Sequence, residues 1–233
     1  TIVFVSFYSK NLIEKPIRQI NKNIPIIVIE NSKDESLKKY LEKKYPNVKV
    51  EIPEINAGNG GGANIGLLKA ETKFVLYLDI DVDLNDNTIE TLYHHANELK
   101  NFSILGPLIE GVNYKKDFYL KKNVLDKVHS MNFITGCALF FNMEILKKIG
   151  LFDPFIFLYH DDLDLGWRAA QLGIKSYYAP KSKIYHAGSY NFKWGGKKFY
   201  WLERNRHYCL LTHYSKKTFY KMLPSIILVE IMM

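Results

Sequence analysis

Four β-branched runs alternate with helix-patterned stretches across the first hundred residues, and few folds accept that order. Strands are expected at 2–7, 25–30, 48–52 and 73–79, with helices near 10–22, 34–45, 60–71 and 86–100. Strands separated by helices are joined by crossovers, so they lie parallel and carry helices on both faces. The expected class is α/β, with a Rossmann-like, mostly parallel central sheet. Open parallel sheets bind ligands beyond the carboxyl ends of their strands. Ser6, the pair Glu30–Asn31 and the run Asp79 to Asp83 all fall at such ends. Beyond residue 100 the pattern is less regular. Strands are expected at 102–109, 133–142 and 174–187, and helices at 142–149, 160–172 and 196–213.

The last early strand runs into carboxylates at alternate positions, Asp79, Asp81 and Asp83. An extended chain would point all three to one side. Gathered carboxylates repel one another unless a cation or proton relieves them. Hard divalent ions take oxygen ligands of this kind, often together with phosphates. An EF-hand reading also needs Glu90 at the twelfth position and glycine where Leu84 stands, and the preceding segment is a strand. That reading fails, and a solvated strand end stays open beside the metal site.

Upstream lies NAGNGGGANIG, Asn56 to Gly66. Glycines at a helix start let another group approach the backbone closely, and the first helical amides favour anions. Gly58, Gly60 and Ala63 also fit the dinucleotide fingerprint, with Asp79 at the distance that fingerprint asks. A nicotinamide-dependent oxidoreductase is therefore the competing reading. Against it, Pro53 to Ala57 separate the strand from the glycines, whereas the fingerprint turns directly off its strand.

Two later segments carry chemistry. HDDLDLGWR places Asp161, Asp162 and Asp164 in a first helical turn, with Arg168 one turn on. Such acids favour the helix dipole, and one beside an apolar run is also suited to general-base work. His186 follows a strand in IYHAG. It is either a structural imidazole or a metal ligand.

Charge is unevenly placed. Residues 181–233 hold 10 of the 32 basic residues and only two of the 24 acidic ones, so the remainder balances at 22 of each. Basic and aromatic residues interleave over 190–221, and the run MLPSIILVEIMM follows. Twelve apolar-rich residues are too few to span a bilayer, but the combination suits an anionic membrane surface. A core-packing helix with a solvated face is the alternative. No recognised module for nucleic acid accompanies the tail. Two cysteines, Cys137 and Cys209, make neither a disulfide framework nor a zinc site. The start, Ile2 to Phe7, is short and follows no basic stretch, so it reads as a strand rather than a signal peptide. A cytoplasm-facing location, peripheral on the membrane, is the expectation.

Together these segments resemble a family 2 glycosyltransferase of the GT-A fold, in its rhamnosyl- and galactofuranosyl-transferase-like branch. The resemblance is carried in order by FVSFYS, IVIENS, NAGNGGGANIGLLKA, LDIDVDL, FITGCALFF, GLFDPFIFLYHDDLDLGWR and IYHAGS. It implies an inverting enzyme that moves a sugar from a UDP- or dTDP-sugar to a glycan or lipid-linked acceptor with Mn2+ or Mg2+. Ser6, Glu30, Asn31, Asn56, Gly58 and Asn64 would line the nucleoside and diphosphate pocket. Asp79 and Asp81 would form the DxD metal motif, completed by His186. Asp162 would be the catalytic base and Arg168 a brace for its helix, with Arg204 near the diphosphate. Glu30 stands where the family usually has Asp, and Asp161 where it usually has Glu, which leaves open which acid of the pair does the chemistry. The implied domains are a catalytic domain over 1–190, its nucleotide half about 1–100 and acceptor half about 101–190, and a basic, aromatic helical segment over 191–233. A non-catalytic sugar-nucleotide-binding protein is a third reading.

Overall fold

A computed structural model describes residues 1–111, 127–188 and 195–232. The chain forms two compact units, Thr1–Phe192 and Lys193–Met233. In the first unit, β1 (Ile2–Ser6), β2 (Ile26–Glu30), β3 (Val48–Glu51) and β4 (Phe74–Leu78) lie in the order β3-β2-β1-β4, all parallel. Between them run α1 (Glu14–Arg18), α2 (Glu35–Lys44) and α3 (Gly58–Lys69). After β5 (Val82–Leu84) and α4 (Thr88–Leu99) come β6 (Ile104–Gly111), β7 (His129–Met131) and β8 (Ala138–Asn142). Next follow α5 (Met143–Ile149), α6 (Asp161–Gln171) and β9 (Ser176–His186). These strands extend the same sheet as β4-β8-β6-β9-β5; β8 is antiparallel to β4 and to β6, β6 is parallel to β9, and β7 pairs with β9.

Strand alternation sorts the core onto two faces. Ile26 and Val28 of β2 join Leu37, Leu41 and Leu92 on one face. Ile27 and Ile29 join Ala63, Leu67, Leu146 and Leu165 on the other. Val75 and Tyr77 of β4 belong to this second face, which α3, α5 and α6 cover. The parallel core with helices on both faces is the one the strand–helix order requires.

Two local expectations are corrected. The helix at 10–22 shrinks to Glu14–Arg18. Gln19 turns its side-chain oxygen to the Leu84 N–H (2.9 Å), and Asn21 accepts from the Asn23 N–H (2.9 Å), which forms a turn instead. The strand expected at 133–142 begins only at Ala138, because residues before it form a loop whose Gly136 N–H serves an aspartate.

The second unit holds α7 (Gly196–His213) and α8 (Lys216–Met232). Arg206 pairs with Glu203 (2.6 Å) and with Glu230, and so ties the two helices together. No residue of α8 is buried, and Ile227, Leu228 and Ile231 are exposed. Among the described residues, no helix is long and apolar enough to cross a membrane.

Candidate active site

The first strand ends of the parallel core carry a hydrogen-bonded polar layer. Ser6 and Glu30 are register partners on β1 and β2. The Ser6 hydroxyl donates to one Glu30 oxygen, and the Ser32 hydroxyl and amide serve the other, the amide at 2.7 Å. Glu30 is fully buried, so both oxygens need such partners. Asn31 donates to the Gly58 carbonyl (2.9 Å) and accepts from the Ala57 N–H (3.3 Å). Asn56 accepts from the Gly58 N–H at 2.9 Å. These bonds fix the start of α3 against the end of β2.

The acidic run does not stay extended. A turn at 80–81 separates β4 from β5, so the three aspartates do not share a side. Asp83 faces away and pairs with Lys15 at 2.6 Å. Asp79 and Asp81 instead meet His186. The register that sets Val82 opposite His186, with the Ala187 N–H on the Asp81 carbonyl, brings the imidazole beside both. His186 Nε2 lies 3.2 Å from Asp81 Oδ1 and 3.9 Å from Asp79 Oδ2. Ligating atoms of all three lie within 4.8 Å of one another. Two carboxylates and an imidazole are a donor set that suits a divalent ion such as Mn2+.

The electrostatics match crowded acids in a poorly hydrated site. Burial pushes the Asp79 carboxyl up to about 6; the His186 charge opposes this and the Asp81 charge adds to it. Burial alone would lower the His186 pKa, but the Asp81 hydrogen bond and the two carboxylate charges outweigh it and leave it raised. A cation there would relieve the same repulsion.

The acidic pair opens α6 after two consecutive residues in the left-handed region, Tyr159 (φ 68°) and His160 (φ 65°), conformations that bulky side chains seldom adopt. Asp162 accepts from the Gly136 N–H (2.7 Å) and the Leu163 N–H (2.8 Å). Gly136 allows that approach, since a Cβ there would lie 3.0 Å from Asp162 Oδ2. Burial first, and then the Asp161 charge, raise the Asp162 carboxyl to about 7. Asp161 is buried and accepts from Asn59 Nδ2 at 2.8 Å. Burial raises its pKa, and the Asn59 bond opposes that. Asp164 instead holds Arg168 (2.8 Å), whose guanidinium also donates to the carbonyls of Ile149, Gly150 and Leu151. Arg168 therefore satisfies the end of α5 and pins it to α6.

The glycine-rich block serves this acidic helix. A Cβ on Gly58 (φ 74°) would lie 2.3 Å from the Phe157 carbonyl oxygen, and the Asn59 N–H donates to that oxygen at 2.8 Å. Asn64 clamps the Phe152 backbone at both its carbonyl (2.8 Å) and its amide (2.9 Å). Gly58 and Gly60 face the 152–161 segment, so the dinucleotide reading loses the backbone approach on which it rested. Arg204 belongs to the second unit, where its guanidinium donates to Asn205 (2.7 Å) and lies 4.4 Å from the Trp201 ring centre.

Sequence reasoning passed over Tyr77, Asn59 and Gly136. A tyrosine inside an otherwise apolar strand, an asparagine among glycines and a glycine just before β8 were the available signals.

A family model described as glycosyltransferase like family 2 matches residues 3–209. An uncharacterised glycosyltransferase of Rickettsia prowazekii is 29% identical over 169 residues, 66% of this chain and 52% of its own length. The N-acetylglucosaminyl-diphospho-decaprenol L-rhamnosyltransferase of Mycobacterium tuberculosis is 20% identical over 203 residues, 70% of this chain and 66% of that protein. The chain thus spans between half and two thirds of these relatives. A crystal structure of GalNAc-T7 with UDP, GalNAc and Mn2+ superposes with a TM-score of 0.69 at 18% identity, covering 82% of this chain and 44% of that one. At that identity the likeness concerns the fold, which is GT-A.

Proposed function

The chain belongs to glycosyltransferase family 2, and from that premise we propose that it transfers a hexosyl or deoxyhexosyl group, with inversion, from a UDP- or dTDP-sugar to a hydroxyl of a glycan or lipid-linked acceptor. One observation carries the reading. A cation-type cluster, Asp79, Asp81 and His186, and an acidic pair, Asp161 and Asp162, are joined through side chains in a single unit. A divalent cation held by Asp81, Asp79 and His186 would supply neutralising charge for the departing diphosphate. Ser6, Glu30 and Asn31, buried at the strand ends, are assigned with Asn56 and Gly58 to the support beneath the nucleoside side of the pocket. Asn64 supports from behind, through Phe152. Asp162, ionised, takes the proton of the acceptor hydroxyl as that oxygen attacks the anomeric carbon. The carbon–oxygen bond to the diphosphate breaks on the opposite face, which inverts the configuration. The two N–H groups on Asp162 hold the carboxylate in place for this step.

A thermal-shift screen tests the reading. UDP- or dTDP-sugars with Mn2+ are expected to raise the melting temperature, and the same nucleotides with EDTA are not. A rise with NAD in the absence of metal, and none with any nucleotide sugar, defeats it.

The second unit supports a further element of the proposal, a peripheral position on the cytoplasmic face of a membrane. Lys216, Lys217 and Lys221 stand in the first part of α8, and the exposed Ile227, Leu228 and Ile231 in its last part. Such a helix is suited to an anionic interface. The chain is expected to float with phosphatidylglycerol-containing liposomes and not with purely zwitterionic ones. Equal recovery in both removes the electrostatic part of the proposal, and flotation in neither removes the membrane.

A further inference from the structure

The cation cluster and the acidic pair are far apart in sequence, yet one short chain of polar side chains joins them. Tyr77 Oη lies 2.6 Å from Asn59 Oδ1 and 3.0 Å from Asp79 Oδ1, and its single proton is shared between these two acceptors. Asn59 Nδ2 donates to Asp161 Oδ2 at 2.8 Å. Tyr77 is 1% exposed, so its hydroxyl is shielded from water. Strand alternation puts Tyr77 on the face that α3 and α6 cover, and its ring meets Phe152 edge-on. The glycines on either side of Asn59 permit the approach: a Cβ on Gly58 would strike Phe157, and one on Gly60 would lie 3.0 Å from Phe152 Cβ and 3.4 Å from Asp161 Oδ2.

We propose that Asn59 and Tyr77 are positioning residues, a hydrogen-bonded strut that sets the acidic pair of α6 at a fixed distance and orientation from Asp79. The inference rests on the transferase reading for its kinetic consequence, but the strut itself does not. Neither side chain is suited to the chemistry. An amide is no base, and the tyrosine hydroxyl is buried with its one proton already engaged by neighbouring oxygens. What they supply is geometry. Asp161 accepts a directed N–H from Asn59, and Asp162 follows it on the same helical turn, so a rotation of the helix start displaces both carboxylates together. Misplacement of a reacting group by about 1 Å costs on the order of 100-fold in rate.

Asn59→Ala removes the strut at its centre, and Tyr77→Phe removes only a hydroxyl and keeps the ring that packs on Phe152. Each is expected to lower kcat by roughly 10- to 100-fold with donor KM little changed. The double variant is expected to fall no further than the worse single one, because both act through one chain of bonds. A second readout needs no turnover. The Asp161 carboxyl, followed by 13C NMR, is expected to titrate at higher pH in Asn59→Ala, since the amide donor that favours its ionised form is gone while the Asp162 and Asp164 charges stay. Wild-type kcat in Asn59→Ala, multiplying losses in the double variant, or an unmoved Asp161 titration each overturns the strut. Wild-type protein that transfers no sugar while Asp161 still shifts defeats the transferase reading and leaves the strut standing.

Discussion

Replacing Asp162 with asparagine is expected to lower kcat by about 10²- to 10⁴-fold, the range that a positioned general base contributes, with donor affinity nearly intact. The asparagine matches the aspartate in size but cannot take up a proton. It also turns an NH2 group toward one of two N–H donors, since both oxygens of Asp162 already accept, from Gly136 at 2.7 Å and Leu163 at 2.8 Å. Asp161→Asn tests which acid of the pair is the base. Asp161 is buried and faces Asn59, so its loss acts on placement and is expected to cost less than the loss of Asp162. The pH dependence follows with a definite sign. Asp162 titrates at about 7 rather than the ordinary 3.8. A base works only when ionised, so kcat/KM is expected to rise with pH and level off above about 7. Stability runs the other way. The folded state holds this proton more tightly than the unfolded chain between pH 3.8 and about 7. Its contribution is therefore fully present below the lower value and lost as pH rises through the upper. The asparagine variant is expected to lack that decline in a melting series. Wild-type turnover in Asp162→Asn, or a flat rate profile from pH 5 to 8, removes Asp162 from the role of base.

The parallel half of the fold was legible because its signals are local. β-branched strands, helical spacing and crossover lengths carry the order of β1 to β4, and the same reasoning places Ser6 and Glu30 at strand ends. What could not be read is set by pairing across long sequence distances. Asp83 occupies the same alternation as Asp79 and Asp81, and only the turn at 80–81 and the approach of Lys15 separate it from them. His186 was a lone histidine until the β5–β9 register set it beside Asp81. The glycine block was legible as a place of close approach, but not what approaches. Its geometry suits a phosphate or a protein carbonyl alike, and the Phe157 carbonyl is what Gly58 meets. Tyr77 escaped notice because a tyrosine in a buried strand has the pattern of an ordinary core residue, and its hydroxyl matters only once Asn59 and Asp79 stand beside it.

Asp81→Ala is expected to weaken binding of a nucleotide sugar in Mn2+ by at least about 10- to 100-fold, the loss that removing even an outer partner of a metal ligand causes. Of the three groups assigned to the cation, Asp81 has a side chain 5% exposed and an oxygen 3.2 Å from His186 Nε2. Its removal withdraws a metal ligand and also the hydrogen bond that keeps the imidazole aimed at the cluster. Wild type and variant are then expected to bind donor equally weakly in EDTA, because the difference between them lies in the cation. Proton competition sharpens the test. Asp79 holds its proton up to about 6, and His186 is raised by the same carboxylates. A cation must displace both protons, so wild-type affinity for Mn2+ is expected to fall as pH drops through 6. Without Asp81 the like charge on Asp79 and the partner of His186 are both gone, which leaves Mn2+ binding weak at pH 7.5 as well as at pH 5.5. Calorimetry of Mn2+ binding at those two values decides the matter. If Asp81→Ala binds Mn2+ and donor as wild type does, with and without chelator, the cluster of Asp79, Asp81 and His186 is a hydrogen-bonded junction between β4 and β9 and holds no metal.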